Sequence, residues 1–150
     1  MKHLYQAAVV NDVTQRIAQL QPDSKRAWGK MNPAQALAHC TAGFDMAMGK
    51  FNPPRMFIGR VFGRVAKQSM IVRGEPMRRN SPTTKQMFIS GDRDFTAERE
   101  RLLATIDRFV AAGPEGCTKH PHTFFGSLTP VEWATLMYQH LDHHLRQFQV

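Results

Sequence analysis

Acidic residues are in short supply in this chain: 12 Asp plus Glu stand against 20 Lys plus Arg, for a formal net charge of +8. The excess makes nucleic acid, an anionic membrane surface or an acidic small molecule an electrostatically acceptable partner, and the sign alone does not choose among them. Cysteine is scarcer still. Cys40 and Cys117 are the only two, too few and too far apart for a disulfide framework, so free thiols are expected. No apolar run approaches the ~18 residues that a spanning helix needs. Met1 to Val10 lacks the apolar stretch and small-residue cleavage site of a secretory signal, so cytoplasmic residence is the expectation. Nowhere do apolar and polar residues alternate with a period of two, and there is no internal repeat, which removes sheet folds and solenoids.

What is present fits one helical domain spanning residues 1–150. Hydrophobic residues make up 42% of the chain and charged ones 21%, a globular balance. The first helix is expected from about Asn11 to Leu20, with Asn11 or Asp12 as its cap and Val13, Ile17 and Leu20 repeating at three to four residues, until Pro22 ends it. A second starts at Asn32-Pro33, asparagine capping and proline opening, and runs toward Gly49 with Gln35, Ala38, His39, Ala42 and Met46 on its inner stripe. Pro54 to about Met70 reads as an amphipathic third helix, with Phe57, Val61, Phe62 and Val65 on one side and Arg60, Arg64 and Lys67 on another. Gly74, Pro76, Asn80, Ser81, Pro82 and Gly91 mark a long irregular connection from Ile71 to Phe95. Asp94 to Ala112 is the next helix, stopped by Gly113-Pro114. Thr129-Pro130-Val131-Glu132 opens the last with a capping-box pattern. The fold class is therefore all-α: a four-helix bundle with a long crossover carrying an extra helix.

The last helix carries His140 and His144, four residues apart. That spacing stacks two side chains on one face with Cβ atoms about 5 to 6 Å apart, within reach of one metal ion. On a helical wheel Trp133, Leu136, Met137, His140, His144, Gln147 and Phe148 share the inward direction, whereas Gln139, Asp142 and Arg146 point away. A buried polar group without a partner costs about 1 to 3 kcal/mol, so these imidazoles require a metal, water, or hydrogen bonds from facing helices. His39 on the second helix's inner stripe, with Gln35 one turn before it, adds a third imidazole. Three histidine ligands leave a coordination position open, the pattern of a reactive site. Gln35, His143 and Gln147 are the side chains expected to hydrogen-bond around the ligands. Cys40 adjoins His39, but neighbours on a helix point about 100° apart, so it is read as a small core residue rather than a nucleophile. His120-Pro121-His122 is read as a surface loop, His3 as solvated, and Glu132 as a helix cap.

The segments Trp28-Gly29-Lys30-Met31-Asn32-Pro33-Ala34-Gln35-Ala36-Leu37-Ala38-His39, Phe124-Phe125-Gly126, Leu128-Thr129-Pro130-Val131-Glu132-Trp133 and His140-Leu141-Asp142-His143-His144-Leu145-Arg146-Gln147-Phe148 resemble the DinB-like superfamily, within it a branch of unassigned function. The likeness runs from about Thr14 to the C-terminus. It implies a four-helix bundle holding a divalent metal, zinc, nickel or similar, on His39, His140 and His144. Characterised relatives include metal-dependent transferases and isomerases that use low-molecular-weight thiols; the superfamily also holds many members with no known activity. The family's H-H-R-G-Q ending is here His143-His144-Leu145-Arg146-Gln147, the arginine one residue later and the ligand positions intact.

Two functional readings follow. One is a thiol-dependent transferase or other metal-assisted enzyme acting on a small-molecule substrate. The other is a non-enzymatic helical module whose basic crossover helix contacts a partner. In the crossover, Arg60 and Arg64 suit an anion-recruiting rim, and Met56, Phe57, Ile58 and Phe62 beside them suit an interfacial or homodimer-forming helix. Nucleic-acid binding is disfavoured, since no helix-turn-helix, zinc-finger or base-stacking pattern accompanies the charge.

Overall fold

In the computed structural model, which describes residues 1–150, three helices begin at a side chain that satisfies an orphan backbone donor: Asn32, Asp94 and Thr129. The elements are α1 (Ala7–Gln19), α2 (Pro33–Ala47), α3 (Phe57–Lys67), a π-helical turn (Gln68–Val72), a 3-10 turn (Lys85–Met87), α4 (Phe95–Ala112), a 3-10 turn (Pro114–Gly116) and α5 (Pro130–Gln147). There is no strand, only an isolated antiparallel bridge between His122 and Gly126. The fold is all-α, effectively a four-helix bundle of α1, α2, α4 and α5, with α3 set into the crossover between α2 and α4. No helix is long and apolar enough to cross a membrane.

The helix starts follow local chemistry where a cap exists. Asn32 accepts from the Gln35 N–H at 2.9 Å while the Gln35 side chain accepts from the Asn32 N–H at 3.0 Å. Thr129 and Glu132 reciprocate in the same way at the start of α5. Each pair satisfies two donors that helix geometry leaves free. Asp94 caps α4 through the Ala97 N–H. Glu132 does more than cap: burial works against its charge, but the Lys67 ammonium at 2.9 Å and the Thr129 N–H hold its carboxyl below the usual range.

Two boundaries differ from the sequence expectation. α1 starts at Ala7, not near Asn11, without any side-chain cap. Its entry is fixed by tertiary contact: Leu4 is fully buried and its N–H donates to the Ala134 carbonyl of α5. α3 starts at Phe57 instead of Pro54, because the Met56 N–H pairs with the Thr123 carbonyl and holds the chain extended there. At its other end α3 passes into the π turn, whose widened rungs, such as Arg73 N–H to Gln68 O, run out at Gly74 with φ of +75°.

α2 is the central element, buried at twelve of its fifteen positions and packed against both α4 and α5. Its small residues, among them Ala36, Ala38, Cys40 and Gly43, let those helices approach closely. Phe44, Phe109, Ile17, Leu102, Ile106, Trp133 and Leu141 fill the space between. α3 inverts the usual rule. Its buried positions are Gly59 and Gly63, seated on the Thr123–Phe124 backbone, whereas Phe57, Val61, Phe62 and Val65 face outward.

A Cβ at Gly63 would run into the Phe124 carbonyl oxygen, so Gly63→Ala should pry α3 off that loop although alanine favours helix by about 1 kcal/mol. Limited trypsinolysis should then cut after Arg60 and Arg64 several-fold faster than in the parent chain, while cleavage within α4 is unchanged.

Candidate metal centre

Three buried histidines meet in the bundle interior between α2 and α5. His39 comes from α2, and His140 and His144 from successive turns of α5. The structure brings the three together: their ring centroids form a near-equilateral triangle, 4.8 Å from His39 to His140 and 4.9 Å for each of the other two sides. One nitrogen from each ring lies within 4.8 Å of the others, and all three residues are buried.

Which nitrogen carries hydrogen is set by the neighbours. His39 Nδ1 lies 2.6 Å from the Met87 carbonyl oxygen, which only accepts, so Nδ1 is the protonated nitrogen and Nε2 keeps its lone pair. For His144 the argument has one more link. The Gln147 Nε2 donates to the Trp28 carbonyl at 2.7 Å, which orients the amide, and its Oε1 therefore accepts from His144 Nδ1 at 2.8 Å. His144 Nε2 is likewise left with a free lone pair. His140 is placed by packing. Its Nδ1–Cε1 edge lies over Gly43, where a Cβ would come within 2.9 Å of Nδ1.

Electrostatics favours the neutral rings. Burial lowers the His39 pKa, partly offset by its bond to Met87. Burial, then the nearness of His39, His144, His143 and His122, holds His140 well below the ordinary histidine value. His144 is pushed down to about 3 by burial and then by His39, against the bond to Gln147. Neutral imidazole is the form that binds a metal. The donor set fits a borderline divalent ion such as zinc or nickel. Zinc–nitrogen bonds of about 2.0 to 2.1 Å imply nitrogens about 3.3 to 3.4 Å apart, so the widest pair needs to close by roughly 1.5 Å, within the reach of side-chain rotation.

The surrounding residues divide. Gln147 bonds a histidine, as its inward position suggested. His143 lies edge-on to His144 at 5.0 Å and to Trp28 at 5.5 Å, and burial first, then Arg146, lowers its pKa against a bond that the ring donates to the Met77 backbone. Gln35 bonds none of them: its carboxamide oxygen is used in the α2 cap and its nitrogen donates to Gly91 O across the crossover. Arg60 and Arg64 sit on the exposed surface of α3, in no ion pair. Cys40 is buried in the apolar core with its thiol pushed up to about 12 by burial, which makes it unreactive. His122 corrects the reading of its loop. His120 is exposed, but the His122 ring packs on Phe125 and Trp133, and its Nδ1 accepts from the Phe124 and Phe125 N–H groups.

Sequence reasoning did not single out Gly43, the Met87 carbonyl or the Trp28 carbonyl. Gly43 was discoverable, being four residues after His39 on a stripe of small residues. The carbonyls carry no residue-type signal at all.

The sequence profile of a family described as "Protein of unknown function (DUF1569)" matches residues 3–150. No curated protein and no solved structure gives a match.

Acid should expose the cost of this cluster. Because the folded-state values lie below the unfolded value of about 6.5, the unfolded chain takes up protons first, so stability is full above pH 6.5 and drains as pH falls toward 3. His144 alone accounts for a loss on the order of 5 kcal/mol across that window. Urea titrations of chelator-treated protein should show this slope, and His144→Leu should flatten it.

Proposed function

The chain belongs to the DUF1569 family, and we propose that it is a divalent-metal-binding protein of DinB-like architecture in which His39, His140 and His144 are the ligands. The four-helix bundle is consistent with the DinB-like superfamily. One observation carries the proposal: three buried imidazoles converge, and for two of them an acceptor on Nδ1 leaves Nε2 unprotonated. Structural histidines normally spend both ring nitrogens on protein or water; here the two relays arrange lone pairs for a shared electrophile.

Within this reading each residue has a defined task. Met87 O and Gln147 Oε1 hold the His39 and His144 rings in one tautomer and one orientation. Gly43 makes room for the His140 ring. Trp28 fixes Gln147 through its carbonyl and covers His143 with its indole. A divalent ion held by three neutral imidazoles supplies a Lewis acid with coordination left over for water or for the sulfur of a low-molecular-weight thiol. The DinB-like resemblance extends the proposal to a thiol-dependent transferase, or another metal-assisted enzyme, acting on a small molecule. Cys40 takes no part in that chemistry, since its buried thiol stays protonated.

Protein purified without chelator should carry close to one equivalent of zinc or nickel by elemental analysis, and His140→Ala should carry none. Absence of metal from the parent chain, after reconstitution with either ion, would overturn the proposal. Metal at about a hundred times its dissociation constant adds about 2.7 kcal/mol to stability, raising the melting temperature by roughly 5 to 10 °C. Gln147→Ala should keep the fold but weaken metal binding about 10- to 100-fold by competitive chelator titration, because His144 then loses the partner that fixes its tautomer.

A further inference from the structure

We propose that α3 is a docking element for an anionic lipid surface. The helix has three stripes. Gly59 and Gly63 form the stripe that rests on the bundle, so close that a Cβ at Gly59 would lie 2.6 Å from Phe124 Cα. The second stripe is apolar and points away from the protein: Phe57 is 82% exposed, Val65 69%, Phe62 57%, Val61 55% and Ile58 46%. The third is basic. At 100° per residue Arg60 and Arg64 border the apolar stripe along its Phe57 side, both exposed.

Charge decides what covers this face. No Asp or Glu occurs between Asp45 and Glu75, so α3 offers an attachment surface without a single carboxylate. Lys67 is paired with Glu132, and Arg55 donates to the Gly59 carbonyl. Arg60 and Arg64 are in no ion pair. A second copy of the chain fits poorly: a two-fold interface sets the same patch against itself, bringing Arg60 and Arg64 of both copies to one seam with nothing to neutralise them. Nucleic acid would meet the guanidinium groups but leave Ile58, Val61 and Val65 unused, since aliphatic side chains provide no stacking platform. A bilayer with anionic headgroups uses both stripes at once. The apolar side chains enter the headgroup–acyl boundary and the guanidinium groups lie level with the phosphates. This inference rests on α3 alone and is independent of the metal.

The test is flotation of the full chain with vesicles of phosphatidylcholine, with and without phosphatidylglycerol. Binding should require phosphatidylglycerol and fall away in molar salt. Arg60→Gln combined with Arg64→Gln should weaken it roughly 30-fold, at about fivefold per basic residue. Phe57→Ser combined with Phe62→Ser, both at solvent-facing positions, should abolish it with an unchanged circular dichroism spectrum. Equal binding to uncharged vesicles, or no binding to either, overturns the proposal. So does a concentration-dependent dimer in sedimentation that the phenylalanine pair disrupts, because a second copy then occupies the face.

Discussion

Neutral imidazole in a buried interior is the state on which the rest of this molecule turns. Three such rings converge in the bundle, and a proton added to any of them faces other imidazoles and no carboxylate. The fold deals with this by fixing where the existing hydrogens are. Two main-chain carbonyls, Met87 in the crossover and Trp28 in the loop before α2, are the anchors: one acts directly on His39, the other through Gln147 on His144. A carbonyl oxygen accepts and never donates, so each anchor settles a tautomer without ambiguity. For His39 and His144 the hydrogen on Nδ1 is thereby fixed and the Nε2 lone pair is left free.

That requirement explains the long crossover better than loop length alone does. Its backbone supplies Met87 O to His39, and Gly91 O receives the Gln35 amide. Arg79 lies over the Trp28 indole, with its guanidinium carbon 4.1 Å from the ring centroid. A connector of this length without regular structure is uncommon in a compact domain unless it has a task. Here it is tied to the mouth of the bundle at several points, each of which also restrains a residue near the histidines. The close approach of α2 to α5 belongs to the same design. Gly43 is the one position on α2 where the His140 ring edge would leave no space for a Cβ.

The legible part of this structure was the part encoded by residue type. Asn32, Asp94 and Thr129 fixed the starts of α2, α4 and α5, because a capping side chain acts within three residues of itself. Periodicity placed His39, His140 and His144 on inward faces, and the i, i+4 spacing made two of them neighbours. The convergence of α2 on α5 needed the topology, for which residue pattern is a weak guide. The start of α1 was not legible, since Leu4 docking on Ala134 O is a contact between distant parts of the chain. Gln35 shows the opposite failure. It is one of the three α2 residues that are not buried, and its carboxamide is taken up by the cap and by Gly91 O instead of any histidine.

α3 tests how far an amphipathic pattern can be trusted. Such a pattern states that two sides of a helix face different media, and in most domains the apolar medium is the protein's own core. Here the core was already closed by α1, α2, α4 and α5, and the side that meets it consists of Gly59 and Gly63. Glycine costs helix stability of about 1 kcal/mol per residue relative to alanine. Two of them at i, i+4 make sense only where a backbone must be approached, as Phe124 is. The helix is therefore held to the bundle by its narrowest edge, and that choice swings its valines and phenylalanines outward. Had the sequence merely needed a soluble crossover, polar residues at positions 57, 61, 62 and 65 would have served it. The apolar stripe, bordered by arginines and free of acid, specifies a second medium outside the chain.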